Sequence, residues 1–306
     1  MQSLNDPIVS VVIPVYNGEK YIEATIRSVM GQSLKDIDIY VVNDASKDQS
    51  AAIVGELQKI DNRIHLINKE NSGVADSRNR GFEASKGTFV AFLDQDDIWG
   101  ETNLEEKVNA ILASDKKWAF SDVSYIDEKG NDFAREEELV TEDFYKNILK
   151  WQNVIPAPSG NVVVLREFMG SDIRYDVKIP CPADRDICVQ LARKGLPLFI
   201  NKKLWQYRIH NEGMTAVDKR VVKEMAIMYD KYKREGYFPD KQTRKIALST
   251  VYFMIAGMCF KFANEKARGV SFLAKSFMAY PTLFFRNILK RIRKKGRKRS
   301  WKPLLY

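Results

Sequence analysis

The amino-acid sequence predicts an α/β fold: a mostly parallel central sheet flanked by helices, with a helical extension towards the C-terminus. Three observations predict it. Through the first hundred residues, short apolar runs alternate with stretches of helical period, as βαβ units require. Several of those runs are apolar throughout rather than alternating, which marks strands buried on both faces. From Asp218 onward the pattern is helical, broken at Pro239 and near Pro281.

The elements follow in order. Val9 to Val15 is a β-branched strand, and Asn17-Gly18 turns the chain. Lys20 to Met30 carries Ile22, Ile26, Val29 and Met30 at helical spacing. Ile37 to Val42 is a second strand, Ser50 to Ile60 a helix, and Ile64 to Ile67 a third strand. Val74 to Ser85 is a helix between Gly73 and Gly87, and Phe89 to Leu93 is a fourth strand. After Trp99 the regular alternation stops. Leu104 to Ser114 reads as a helix, Trp118 to Ile126 and Asn161 to Leu165 as strands, and Arg185 to Lys194 as a helix with Gly195 as its glycine cap. Phe199 and Ile200 begin a last strand.

A chain of 306 residues suits two domains or one enlarged α/β domain. Its apolar content of 45% is that of a globular protein. The net charge of +9 is concentrated: Arg286 to Lys302 holds ten Lys or Arg and no acid, and the rest is nearly neutral. Such a run suits an anionic surface. Phe284-Phe285, Ile288-Leu289 and Ile292 lead into it as an amphipathic membrane-surface helix would. Cys181, Cys188 and Cys259 show neither metal spacing nor an even disulfide framework, which suits a reduced, cytoplasmic setting. MQSLNDP has no secretory pattern, and Ile246 to Phe260 falls short of the roughly 20 apolar residues of a spanning helix. No nucleic-acid recognition module is present, so none is expected as a partner.

Chemistry concentrates where strands end. Phe89-Val90-Ala91-Phe92-Leu93 stops at Asp94, Asp96 and Asp97. Acids so close repel one another unless a cation holds them, and a hard divalent ion shared with substrate phosphates would do so. In a parallel sheet the other strand ends open on the same edge. They contribute Pro14-Val15-Tyr16-Asn17, Asn43-Asp44-Ala45-Ser46 and Asn71-Ser72-Gly73. Asp44 suits a ribose hydroxyl or a base N–H. Gly73 allows close backbone approach, and the helix after it offers N–H groups to phosphate. Arg78 suits a carboxylate or a phosphate. The glycine signatures of dinucleotide-binding folds and P-loops are missing.

In this order the motifs resemble those of glycosyltransferase family 2, over about residues 8–213. The resemblance implies the type A glycosyltransferase fold and a nucleotide-sugar donor. It implies that Asp44 contacts the nucleotide, with Pro14, Tyr16, Asn17, Gly73 and Arg78 around the donor. It also implies that Asp94-Gln95-Asp96 is the D-x-D motif, with Asp94 and Asp96 reaching ribose and a Mn²⁺ or Mg²⁺ ion. The family's Glu-Asp-aromatic-Asp-Leu stretch corresponds to Ala183-Asp184-Arg185-Asp186-Ile187, which puts Asp184 in the position of the general base. Ala183 and Arg185 depart from the family pattern. Tyr207-Arg208-Ile209-His210, followed by Met214-Thr215, resembles the family's Tyr-Arg-x-His landmark and implies Arg208 and His210 near the diphosphate or the metal.

The expected organisation is therefore a nucleotide-sugar-binding half at 1–100, an acceptor-binding half of the same catalytic domain at 101–215, and a helical extension with a basic membrane-surface tail at 216–306. The expected activity is inverting, metal-dependent transfer of a sugar, UDP-linked rather than GDP-linked, to a hydroxyl of a glycan. A lipid-linked acceptor at the inner face of the plasma membrane fits the basic segment 284–302. Two other classes stand beside this: a sugar-phosphate nucleotidyltransferase, and a non-catalytic basic protein binding membrane or nucleic acid.

Overall fold

The computed structural model describes residues 6–135, 139–140, 142–156, 160–210, 219–261 and 265–295. The chain forms two compact units: Met1–Glu137 with Ile155–His210, and Glu138–Val154 with Asn211–Tyr306. Residues 138–154, expected in the acceptor-binding half, thus belong with the C-terminal helices.

The first unit is built on β1 (Val9–Val15), β2 (Ile37–Asp44), β3 (Ile64–Lys69), β4 (Phe89–Phe92), β5 (Ile98–Trp99), β6 (Trp118–Ile126), β7 (Asp132–Phe133), β8 (Val163–Leu165) and β9 (Leu198–Arg208). They join in one sheet in the order β3-β2-β1-β4-β8-β6-β9-β5, with β7 beside β6. β1 to β4 are parallel, as expected. Beyond β4 the sheet is mixed. β8 runs antiparallel to β4 and β6, β9 parallel to β6, and β5 antiparallel to β9. The reversal comes where the even βαβ alternation of the sequence stops.

Helices cover both faces of the parallel half. Val9, Val11, Ile13 and Val15 pack with Ile22, Ile26 and Val29 of α1 (Ile22–Met30) and with Val54 and Leu57 of α2 (Ser50–Ile60). This is the period-two alternation of a strand meeting the 3.6-residue stripe of a helix. On the opposite face lies α3 (Val74–Ala84). Its approach depends on Gly81, where a Cβ would come within 2.3 Å of Val12 Cγ1 and 3.2 Å of Val42 Cγ2. That contact sets how close Arg78, one turn earlier, lies to the end of β4.

Among the described residues this unit also holds α4 (Asn103–Leu112), α6 (Arg166–Met169) and α7 (Ala183–Lys194). Gly195 follows α7 in an extended conformation (φ −177°), so the expected left-handed glycine cap is not formed. β5 and β7 are short pairings that the sequence pattern does not announce. β9 runs on to Arg208 and carries the chain back to the acidic loop.

The second unit holds α5 (Phe144–Leu149), α8 (Lys219–Arg234), α9 (Lys241–Lys261), α10 (Lys266–Ala279) and α11 (Pro281–Lys295). The breaks expected at Pro239 and Pro281 are present. Pro281 opens α11, where a missing N–H costs nothing. Tyr229 donates its hydroxyl to Leu149 O and Tyr145 donates to Tyr237 O, which ties α5 to this unit. Among the described residues no helix is long and apolar enough to cross a membrane.

Gly81→Ala should force α3 off β1 and lower stability by about 1–3 kcal/mol, the usual range for overpacking. Urea unfolding monitored by tryptophan fluorescence checks this. A midpoint unchanged from wild type would show that the contact is not tight.

Candidate active site

The ends of β1, β2 and β4 interlock. The Asn17 N–H donates to Ser46 Oγ (3.0 Å), and the Lys47 N–H donates to Asn17 Oδ1 (2.8 Å). Gln95 holds the β1 loop from the other side: its Oε1 accepts from Tyr16 N–H (2.8 Å) and its Nε2 donates to Tyr16 O (3.3 Å). A Cβ at Gly18 would lie 2.7 Å from Gln95 Oε1, so a larger residue there would push the Gln95 side chain out of that clamp. Asn17 (φ 49°) and Ala45 (φ 59°) are left-handed. Asn tolerates this conformation, whereas Ala45 carries about 1 kcal/mol of strain, of a kind found at functional loops. Pro14 is buried at the end of β1, past the last rung of the β1–β4 ladder at Val12–Phe92, where its missing N–H breaks no pair with β4. The loop exposes Tyr16.

Asp44 is almost fully buried. Its Oδ1 accepts from Lys69 Nζ and from Ser72 N–H (2.9 Å), and its Oδ2 accepts from Gly73 N–H (2.9 Å). Gly73 is left-handed (φ 93°). The two N–H groups that hold Asp44 belong to Ser72 and Gly73, just before the first residue of α3. Of about four acceptor positions on Asp44, one on Oδ2 stays open.

Arg78 lies on α3 with 1% of its side chain exposed. One Nη donates to Asp184 Oδ1 and the other to Asp94 Oδ1, both at 2.6 Å. The guanidinium lies over the Tyr175 ring, 5.0 Å from its centroid. Asn79 fixes that ring in place by pairing with both backbone groups of Tyr175. Burial opposes the charge on Arg78, but Asp184 and Asp94 outweigh it and push its pKa up. Burial pushes the Asp184 carboxyl up to about 6, against the pull of Arg78 and with Asp94 adding to the rise. Asp184 Oδ2 has no protein partner among the described residues, and its side chain keeps 14% exposure. It is an ionised carboxylate at neutral pH with one oxygen held and one available.

The rest of the acidic loop is held by β9. The pairs Ile98–Gln206 and Trp99–Trp205 dock β5 on β9. Arg208 N–H then donates to Asp97 Oδ1 (2.9 Å), and Arg208 Nε donates to Asp96 O (2.8 Å). Its Nη1 donates to Asp127 O (3.1 Å), and the guanidinium lies 4.8 Å from the Tyr21 ring centroid. Arg208 therefore clamps backbone carbonyls in this structure. Asp97 is fully buried. Burial, with like charge from Asp96 and Asp94, raises its carboxyl well above the usual range. His210 Nε2 lies 2.8 Å from Asp96 Oδ2, and its Nδ1 is buried without a partner among the described residues. Met214 and Thr215 lie outside the described residues.

The donor set at Asp96 and His210 fits a divalent ion. It offers a carboxylate oxygen and an imidazole nitrogen in contact, with Asp94 two residues away. Among the described residues no three ligand-type side chains converge. Substrate phosphates and water would complete the shell, the usual arrangement for Mg²⁺ and an available one for Mn²⁺.

Thus Asp94, Asp96, Arg78, Asp184 and His210 come together on one edge. Asp44 and Gly73, bonded directly, form a second group with Lys69, which sequence reasoning missed. Also missed was the buried pair of Lys107, which donates to Asn161 O (2.7 Å), and Asn161, whose amide bridges to Ser121 and anchors the loop before β8. One signal for Arg78 was available: Ala75, Arg78 and Phe82 share the buried stripe of α3.

The Glycosyl transferase family 2 model matches residues 10–170, and the chain belongs to that family. Bacillus subtilis (strain 168) TuaG, named as a glycosyltransferase of teichuronic acid biosynthesis, is 30% identical over 234 residues, 74% of this chain and 89% of that protein. EpsH of the same organism is 42% identical over 105 residues, but the match spans only 34% of this chain and 30% of EpsH. S. aureus TarS 1–349 in complex with UDP-GlcNAc superposes with a TM-score of 0.70 at 18% identity, covering 90% of this chain and 82% of that one. Mannosyltransferase PcManGT from Pyrobaculum calidifontis, in complex with GDP-Man and Mn²⁺, superposes with a TM-score of 0.60 at 16% identity, covering 96% and 81%. These likenesses establish the type A glycosyltransferase fold.

Arg78→Met would leave Asp94 and Asp184 facing each other without their cation. Breaking a buried pair in this way costs about 3–5 kcal/mol, and the partial exposure of both acids places the loss near the lower end. Urea unfolding at neutral pH reads it. A loss no larger than that of a surface substitution would remove Arg78 from its organising role.

Proposed function

We propose that the protein transfers a sugar from a UDP-linked donor to a hydroxyl of a glycan acceptor, with inversion and with a bound divalent ion. The observation that carries this reading is Asp184: a carboxylate held through one oxygen by buried Arg78, one guanidinium away from Asp94 of the D-x-D motif. A sugar hydroxyl is a poor nucleophile until a positioned base takes its proton. Asp184 Oδ2 takes that proton as the acceptor oxygen bonds to the anomeric carbon. The bond to the diphosphate breaks in the same displacement, and its electron pair leaves with the phosphate oxygen. Attack opposite the leaving group inverts the anomeric centre. Asp94, Asp96 and His210 would hold the metal, which when bound supplies Lewis-acid stabilisation of the departing diphosphate.

Donor contacts follow from the strand ends. Asp44 uses its open acceptor position on the nucleoside, and Tyr16 and Asn17 border the same crevice beside Pro14. Gln95 and Gly73 hold the loops that shape it. Arg208 acts from behind by fixing the loop that carries Asp96. TarS with UDP-GlcNAc favours a uridine donor, and PcManGT with GDP-Man represents the other donor class. TuaG supports a role in polysaccharide assembly. A lipid-linked acceptor, reached from the anionic inner face of the plasma membrane, completes the proposal. Family membership favours sugar transfer over nucleotidyl transfer.

The test is incubation with UDP-sugars, Mn²⁺ or Mg²⁺ and a glycan acceptor. The reading requires release of nucleoside diphosphate that stops with a chelator; release of pyrophosphate would sink it. kcat/KM should rise with pH through an apparent pKa of about 6, since Asp184 works only ionised. Asp184→Asn should lower kcat by about 10²–10⁴-fold and remove that limb while donor binding persists. A variant with near-normal kcat would assign the base elsewhere.

A further inference from the structure

The second unit carries a surface that the catalytic chemistry does not use. On α10, Val270 (59% exposed), Phe277 (41%) and Met278 (72%) recur at i, i+7 and i+8, the spacing of one helix face. On α11, Phe285 (56%) and Leu289 (54%) stand at i and i+4. The two stripes meet, since the Phe277 and Phe285 rings lie 5.8 Å apart in an edge-to-face contact. Large apolar side chains grouped this way in solvent mark a contact surface.

Charge says what the surface contacts. From Lys266 to Lys295 the sequence has nine Lys or Arg and no Asp or Glu. A cavity of about 270 Å³ lies at the α10–α11 junction, lined by Gln242, Ile246, Tyr280, Thr282, Leu283 and Arg286. Arg286 forms no ion pair among the described residues, so the cavity presents a cation, an amide and two hydroxyls beside the aromatic patch. A protein partner would need an acidic face with apolar pockets, and a nucleic acid leaves Met278, Phe285 and Leu289 without a use. An anionic bilayer satisfies both halves at once: acyl chains for the apolar stripe and phosphates for the cations.

We infer that the α10–α11 face docks on an anionic lipid bilayer, with Val270, Phe277, Met278, Phe285 and Leu289 entering the headgroup boundary and Arg286 taking a lipid phosphate at the cavity. The inference deepens the membrane-side part of the proposed function and is independent of the sugar chemistry. It also changes the sequence expectation, because the contact lies on a folded two-helix face that begins on α10, before the basic run.

The test is co-sedimentation of the full chain, without donor or acceptor, with vesicles of phosphatidylcholine alone or with about one-third phosphatidylglycerol. Binding should be strong only with the anionic lipid. Arg286→Gln should weaken it about fivefold on anionic vesicles. Phe285→Ser with Leu289→Ser should weaken it at least about tenfold, and so should Met278→Ser with Phe285→Ser. All these side chains are exposed, so thermal melts should match wild type and report that the fold is intact. Equal binding to neutral vesicles, wild-type binding by both serine pairs, or binding to an RNA oligonucleotide but not to vesicles would overturn the inference. Transfer to a soluble acceptor separates the two readings. If wild type binds vesicles as stated but transfers no sugar, the catalytic reading fails and this one stands.

Discussion

Arg78 is a cation removed from water, and the two carboxylates that neutralise it come from distant parts of the first unit, Asp94 at the end of β4 and Asp184 at the start of α7. Neither acid would hold this position alone. Two carboxylates this close repel, and a buried guanidinium without partners would be costly. Together the three form a neutralising network in which each group requires the others. One oxygen of Asp94 and one of Asp184 are fixed by the guanidinium, which leaves each a second oxygen for the proposed reaction. The same burial that makes the network necessary lifts the Asp184 carboxyl towards the working range of a base.

The surrounding structure serves that arrangement. Gly81 sets α3 against β1 and so sets the depth of Arg78. Asn79 holds Tyr175 over the guanidinium. The acidic loop is pinned at both ends, by Gln95 to the β1 loop and by Arg208 to Asp96 and Asp97. Asp97 is the interior member: burial, with like charge from Asp96 and Asp94, raises its carboxyl well above the usual range. Asp94 and Asp96 keep part of their side chains exposed, with the buried His210 ring against Asp96.

Much of this was legible in the sequence, for a physical reason. Fully buried parallel strands are apolar along almost all their length, so Val9 to Val15 and Phe89 to Leu93 announce themselves, and their carboxyl ends must share an edge. Convergence of Asp94, Asp96 and Asp184 followed from that edge and from the family resemblance. Side-chain pairing across a hundred residues does not follow from either. The sequence offered Asp44 to a ribose hydroxyl or a base N–H, whereas it already accepts from Lys69 and from the Ser72 and Gly73 N–H groups. The resemblance put Arg208 near the diphosphate or the metal; here its Nε and Nη1 engage backbone carbonyls. β5 and β7 are two-residue pairings whose cause is the register of β9 and β6 rather than any local preference. The basic C-terminal run was visible as charge, but its apolar partner on α10 shows only once the two helices are folded together.

The central claim is that Arg78 acts on catalysis through Asp184. It is tested most directly by a double-mutant cycle in kcat between Arg78→Lys and Asp184→Asn, at saturating donor and metal. If the account holds, Arg78→Lys lowers kcat in the wild-type background and has little further effect once Asp184 is Asn. Losses that simply multiply would contradict it, because they would mean that the guanidinium and the base contribute to the reaction independently.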